Sequence, residues 1–168
     1  MTYEQISFIV MIGISLSYIT GTLIAFGITP SISETFYRLK DLHRRFLFWD
    51  ISILFPMWSG FTAITALLCT DGNIWITIAA TGLLLVGAAP YFKNILNKLL
   101  HYLGAITALI STLGYTLFHL HDYGLTMMSI GALIGIIVTK DKDSSWMYWV
   151  EITAFVSFFV ASYFNLFV

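Results

Sequence analysis

The chain has 168 residues, 58% of them apolar and only 10% Asp, Glu, Lys or Arg, with a formal net charge of -1. Soluble domains carry roughly 25% charged residues, so this composition, with a mean hydropathy of +0.86, excludes an ordinary soluble domain and points to a polytopic membrane protein. The near-neutral charge argues against a nucleic-acid partner, and the single Cys69 excludes an internal disulfide.

The first apolar stretch covers residues 6–28 and ends at Gly27 and Thr29-Pro30. No basic segment precedes it and no small-residue cleavage site follows, so it reads as a retained helix rather than a signal peptide. Next comes the one long connection, residues 30–46. Its Ser31-Ile32-Ser33-Glu34 has capping-box spacing, in which a Ser oxygen and a Glu carboxylate each accept an exposed backbone amide. Ile32, Phe36, Leu39, Leu42, His43 and Phe46 then recur at helical intervals, with Arg38, Lys40, Arg44 and Arg45 between them. That pattern predicts an interfacial amphipathic helix over 32–46 on the inner leaflet. Its four cations either contact anionic lipid headgroups or serve only as a topological anchor.

Five more apolar stretches follow, over 47–69, 74–89, 100–118, 125–139 and 146–164. Pro56 falls inside the second span, Thr70-Asp71-Gly72-Asn73 closes it as a turn, and Pro90 stops the third. All of them must be helices, because unpaired backbone amides in lipid cost several kcal/mol each and barrel-type alternation is absent. The predicted fold is therefore all-α, a single domain over 1–168 built as a six-transmembrane-helix bundle.

Orientation follows from the cations. Arg38, Lys40, Arg44 and Arg45 lie in the first connection, Lys93 and Lys98 in the third, Lys140 and Lys142 in the fifth, and none elsewhere. Basic residues stay on the cytoplasmic side, so this every-other-loop pattern places both termini on the non-cytoplasmic face. The small size and absence of sorting signals make a bacterial inner membrane the simplest host.

Ionisable groups inside apolar spans need a partner or water. Asp50 lies one turn into the second span, Glu151 one to two turns into the sixth, and His101 opens the fourth. The orientation puts all three at one shallow cytoplasmic depth, near His43. Such a set can bind a divalent metal, relay a proton or hold a cationic headgroup; equally, the two carboxylates can simply neutralise Arg44, Arg45 or Lys98. No HExxH, no His pair four apart and no Cys cluster supports the metal reading. On the other side, His119, His121 and Asp122 with Asp71 form a second, weaker ligand cluster.

The fourth span carries His101, Gly104, Ala105, Ala108, Ser111, Thr112, Tyr115 and His119 on one face, with Leu103, Ile106, Leu109 and Ile110 behind. Such a stripe either packs closely on another helix or lines a cavity. Glu151, Ala154, Phe158, Ala161 and Asn165 repeat the theme in the last span, and Gly131 and Gly135 form a GxxxG pattern suited to bundle packing or to a homo-oligomer.

Three segments carry a resemblance: SISETFYRLK (31–40), VGAAPYF (86–92) and HYLGA (101–105). Together they resemble a group of short bacterial and phage-borne six-span membrane proteins to which no activity is assigned, so the likeness implies a fold and no catalytic residue. More remotely, a serine-bearing first inner loop followed by His-x-x-Gly-Ala is similar to the Frag1/DRAM-like proteins. The ceramidase and progestin-receptor-like hydrolases differ, since their seventh span and HxxxH pair are missing here.

Three functions compete. A non-enzymatic bundle accommodating a membrane lipid or small amphiphile, with no cofactor, fits the stripe, the acidic pair and the basic helix. A metal-dependent intramembrane hydrolase would use His101, Asp50 and Glu151, with His43 as a fourth ligand. An ion or proton conductor would need charges nearer the midplane than any present. Labelling of single introduced cysteines should place both termini and positions 71 and 121 outside, and positions 38–45, 93–98 and 140–142 inside; termini on opposite faces would overturn the orientation.

Overall fold

Thr2 starts the first helix through a reciprocal cap: its hydroxyl accepts the Gln5 amide at 3.3 Å, and Gln5 Oε1 accepts the Thr2 amide at 3.0 Å. Helix α1 then runs Tyr3–Phe26 and stops at Gly27, whose φ of 70° is cheap only without a side chain. In the computed structural model, which describes residues 1–46, 51–91, 94–121, 123–138 and 145–167, six further helices follow. They are α2 (Glu34–Phe46), α3 (Leu54–Cys69), α4 (Ile74–Ala88), α5 (Asn94–Gly114), α6 (Tyr123–Val138) and α7 (Trp146–Phe167). Turns of 3-10 helix precede α3 (Ile51–Ile53) and follow α4 (Ala89–Tyr91), and a π-helical turn (Tyr115–His119) continues α5. No strand occurs among the described residues, so the all-α expectation holds.

Among the described residues four helices are long and apolar enough to cross a membrane: Tyr3–Phe26, Ile51–Cys69, Ile74–Tyr91 and Leu99–His119. The charge pattern had suggested six. Helix α6 is apolar but has only 16 residues, about 24 Å at 1.5 Å per residue, against a hydrocarbon core of about 30 Å. Helix α7 has 22 residues, with Glu151 in its second turn and Trp146, Tyr148 and Trp149 at its start. Pro56 sits in the first turn of α3, where a missing amide hydrogen breaks no helical bond.

The chain runs up and down. Gln5 Nε2 donates to the Leu166 carbonyl at 2.9 Å, and at the other end the Tyr148 amide donates to the Pro30 carbonyl at 3.1 Å. The start of α1 thus lies beside the end of α7, and the two helices are antiparallel. Helices α1, α3, α4 and α5 pack in sequence as a wall, α7 bridges α5 back to α1, and α6 leans on α7 and on the π-helical turn.

Small and hydroxyl residues make these interfaces, which lets helix backbones approach closely. A Cβ on Gly82 would stand 2.5 Å from the Gly104 carbonyl oxygen, and one on Gly104 would stand 2.6 Å from the Gly82 carbonyl oxygen. Gly114 lies under the Trp75 ring, which a Cβ there would strike at 2.5 Å. Ser59 Oγ donates to the Leu83 carbonyl at 2.5 Å between α3 and α4, and Ser129 Oγ meets Ser157 Oγ at 2.5 Å between α6 and α7. Gly131 and Gly135 behave differently: among the described residues a Cβ on either would meet nothing within 4 Å.

Helix α2 departs from its expected setting. It is amphipathic, and Ser31 Oγ accepts the Glu34 amide at 3.2 Å as the capping pattern predicts. Its apolar face does not turn outward, however: Ile32 before it and Phe36 within it are 3% exposed and pack with Phe55, Trp58, Val86 and Tyr148. Arg38 and Lys40 remain exposed, with Lys40 Nζ 5.8 Å from the Phe36 ring centroid.

The glycine contacts yield a paired test. Gly104→Ala forces one of two backbones to move and should cost about 1–3 kcal/mol. Gly131→Ala should change stability by no more than about 0.5 kcal/mol. Thermal unfolding of the purified variants measures both, and equal effects would contradict the crossing described.

Candidate functional site

The segment joining α1 to α2 is where the bundle's polar contacts gather. Thr29 Oγ1 donates to the Ser31 carbonyl at 2.7 Å, and Ser31 Oγ lies 2.8 Å from Ser33 Oγ. Three helices then hold this segment from different sides. Glu151 of α7 accepts the Ile32 amide on Oε2 at 2.6 Å; His101 of α5 places Nε2 3.3 Å from Ser33 Oγ; Tyr18 of α1 places its hydroxyl 2.5 Å from Thr35 Oγ1. The carboxyl oxygen satisfies a backbone amide that would otherwise be buried without an acceptor. The loop is thus fixed against the bundle rather than hanging from it.

Above this floor lies a cavity of about 440 Å³, within the roughly 300–1,000 Å³ of small-molecule sites. Helices α3, α4 and α5 form one side, α7 and the inner edge of α6 (Leu133, Ile137) the other, and Ile32 and Ser33 lie at one end. The lining is overwhelmingly apolar. Most of its hydroxyls are already bonded: Ser59 to the Leu83 carbonyl, Thr62 near Ser15 at 3.4 Å, and Thr112 to the Ala108 carbonyl at 2.8 Å. Such bonds to the preceding turn satisfy a hydroxyl without making it part of a pathway.

The expected site residues separate. His101 and Glu151 do converge, on the adjacent residues Ser33 and Ile32; Glu151 lines the cavity, whereas His101 stands behind Ser33. Asp50, and the side chains of His43, Arg44 and Arg45, lie outside the described residues. Of the fourth-span stripe, Ala108 and Thr112 line the cavity, Gly104 is taken up by the contact with α4, and Ser111 and Tyr115 are buried elsewhere. Ile106 and Leu109, assigned by hydropathy to the stripe's back, reach the cavity too. In the last span Glu151, Ala154 and Phe158 line it as the spacing suggested.

At the opposite end, His119 stacks on Tyr115 with centroids 5.2 Å apart and borders a shallow depression with Glu4 and Asp71. His121 is exposed and Asp122 lies outside the described residues. Among the described residues, no group of three His, Cys, Asp or Glu is placed to hold a metal ion.

Sequence reasoning passed over Trp58. Its ring is 4% exposed, lines the cavity, and is stacked against Tyr18 at 4.8 Å with Phe155 at 5.3 Å. Among the described residues its indole N–H has no acceptor, a rare condition for a buried donor. A tryptophan in an apolar span carries no sequence mark that separates it from one facing outward.

No family model, curated protein or solved structure matches the chain.

The Glu151–Ile32 bond can be tested directly. Glu151→Gln keeps an acceptor for the Ile32 amide, whereas Glu151→Leu strands that donor, which costs about 1–3 kcal/mol. The Leu variant should unfold at lower temperature than the Gln variant and exchange its Ile32 amide hydrogen faster; identical behaviour of the two would remove the bond from the account.

Proposed function

We propose that the protein is a six-crossing integral membrane protein, without catalytic activity, that accommodates a lipid chain or small amphiphile in the cavity between α3–α5 and α6–α7. The observation that carries this reading is an apolar cavity of about 440 Å³ with one carboxyl, Glu151, at its end. Large apolar side chains face outward on each long helix, including Ile24, Ile64, Leu84, Ile110, Met128 and Val156, which supports lipid on the outside. The antiparallel α1 and α7, with both chain ends together, support an even number of crossings.

In this arrangement the Ser33 end of the cavity faces the cytoplasm, as the cations of α2 require. The exposed Arg38 and Lys40 then meet the anionic headgroups of the inner leaflet, each worth about 1 kcal/mol near the surface. The short α6 spans by local thinning of the bilayer, and the GxxxG spacing of Gly131 and Gly135 suits packing against a second copy of the chain. A bacterial inner membrane suits the size and the charge pattern.

Extraction and mass spectrometry of detergent-purified protein test the reading. A bound amphiphile at about one per chain is expected. It should be lost in Ala154→Trp and reduced in the milder Ala105→Leu, both of which fill the cavity at a cost of about 1–3 kcal/mol. Equal lipid content in a folded Ala154→Trp variant and the parent would sink the proposal.

A further inference from the structure

A side chain that lines a cavity and also lies on the outer surface marks a way in. Among the described residues of the lining, only Tyr102, Ile106 and Ile137 are strongly exposed, at 52%, 54% and 48%. The first two belong to α5 and the third to α6. The ends of the cavity differ. Ile32, Phe55 and Val86 form the wall toward Ser33 and are 8% exposed or less. At the other end Ala66, Ile76 and Phe158 belong to the buried cluster around Tyr115.

The arc of α5 that meets the cavity fixes the direction of the opening. Counting about 100° per residue from Gly104, which abuts α4, Ala108 lies at about 40°, Thr112 at about 80°, Leu109 at about 140°, Tyr102 at about 160° and Ile106 at about 200°. The lining therefore starts beside α4 and ends on the side of α5 turned away from it. Past Ile106 come Leu103 and Ile110, exposed and outside the cavity; on α6, Ile134, one turn before Ile137, is exposed as well. The attachments of α6 lie in its first half: Thr126 Oγ1 is 3.0 Å from Thr116 Oγ1 of the π-helical turn, and Ser129 meets Ser157 of α7. Ile137 stands two turns beyond them. Apolar side chains thus frame both rims, as at a surface that meets lipid.

Resting on the lipid-accommodating reading, we infer that the cavity is entered from within the bilayer, through a side portal between Tyr102 and Ile106 of α5 and Ile137 of α6. The occupant is one acyl chain of an inner-leaflet phospholipid, whose headgroup stays outside at the interface. Tyr102 lies in the first turn of the apolar span Leu99–His119, the level at which a tyrosine's apolar ring and polar tip suit the membrane boundary. Ile106 lies one turn deeper, so the portal opens onto the upper part of the hydrocarbon. A volume of about 440 Å³ lies toward the low end for binding sites and suits one chain rather than a whole two-chain lipid.

The full chain in phosphatidylethanolamine–phosphatidylglycerol vesicles, doped with a phosphatidylglycerol bearing a diazirine near the end of one chain, tests this. Photolysis and peptide mass spectrometry should find adducts inside the cavity, on Leu109 and Ala154, and outside it, on Ile110. Ile106→Trp combined with Ile137→Trp narrows both rims at half-exposed positions. It should cut the inside adducts about tenfold and leave the outside ones unchanged. Each single rim variant should show a smaller loss in the same direction, which keeps the test open if the double variant misfolds. Leu103→Trp, equally bulky but off the rim, should change neither set. Inside adducts undiminished in the folded rim variants overturn the inference while leaving the cavity reading intact. So does inside labelling by a diazirine-bearing octyl glucoside supplied from water when the phospholipid gives none. If neither probe labels the inside of the parent protein, both fail.

Discussion

The approach of α4 and α5 at Gly82 and Gly104 governs the interior. Each backbone occupies the space where the other's side chain would stand, so α5 is drawn onto α4 along its small-residue face. A helix can lie closely against only a limited arc of neighbours. Among the described residues α5 also packs on α7, while α6 leans on α7 and on the π-helical turn. The empty volume follows from that arrangement. Small residues on one interface create room at another, because interhelical space saved in one direction reappears in the opposite one.

The second organising element is the serine-rich connection between α1 and α2. It closes the Ser33 end by offering backbone groups to side chains from elsewhere: the Ile32 amide to Glu151, the Pro30 carbonyl to the Tyr148 amide. Side-chain hydroxyls at Ser33 and Thr35 complete the contacts to α5 and α1. The acidic residue in the last helix thereby has a structural duty, and the Ile32 amide it accepts is part of why the carboxyl is tolerated in apolar surroundings. An isolated buried charge without donors would cost several kcal/mol.

What could be read from residues alone was what local chemistry decides. Gly27 and the Thr70–Asn73 turn end helices wherever they occur, and Ser31 caps α2 because an oxygen three residues before an amide does so in any context. That His101 and Glu151 reach the adjacent residues Ser33 and Ile32 is shown by the packing of α5 and α7 on the connection, not by their place in the sequence. Other features depend on partners distant in sequence. Gly82 is an ordinary glycine until α5 arrives, and Trp58 an ordinary aromatic until its N–H is found without an acceptor among the described residues. An amphipathic period says that one face avoids water, not whether lipid or protein receives it, and Ile32 and Phe36 are received by Phe55, Trp58, Val86 and Tyr148. Thr2-x-x-Gln5 is a capping signature in its own right, easily missed beside a long apolar run.

The placement of α2 has a mechanical corollary. Because Ile32 and Phe36 are seated among Phe55, Trp58 and Tyr148, and the Ile32 amide is held by Glu151, the basic helix has no hinge of its own at its beginning. Tilting it would tear aromatic packing, an amide bond and the Tyr18–Thr35 hydroxyl pair together. The charged surface helix and the cavity floor are one rigid lever, so a force applied to either is felt at once by the other.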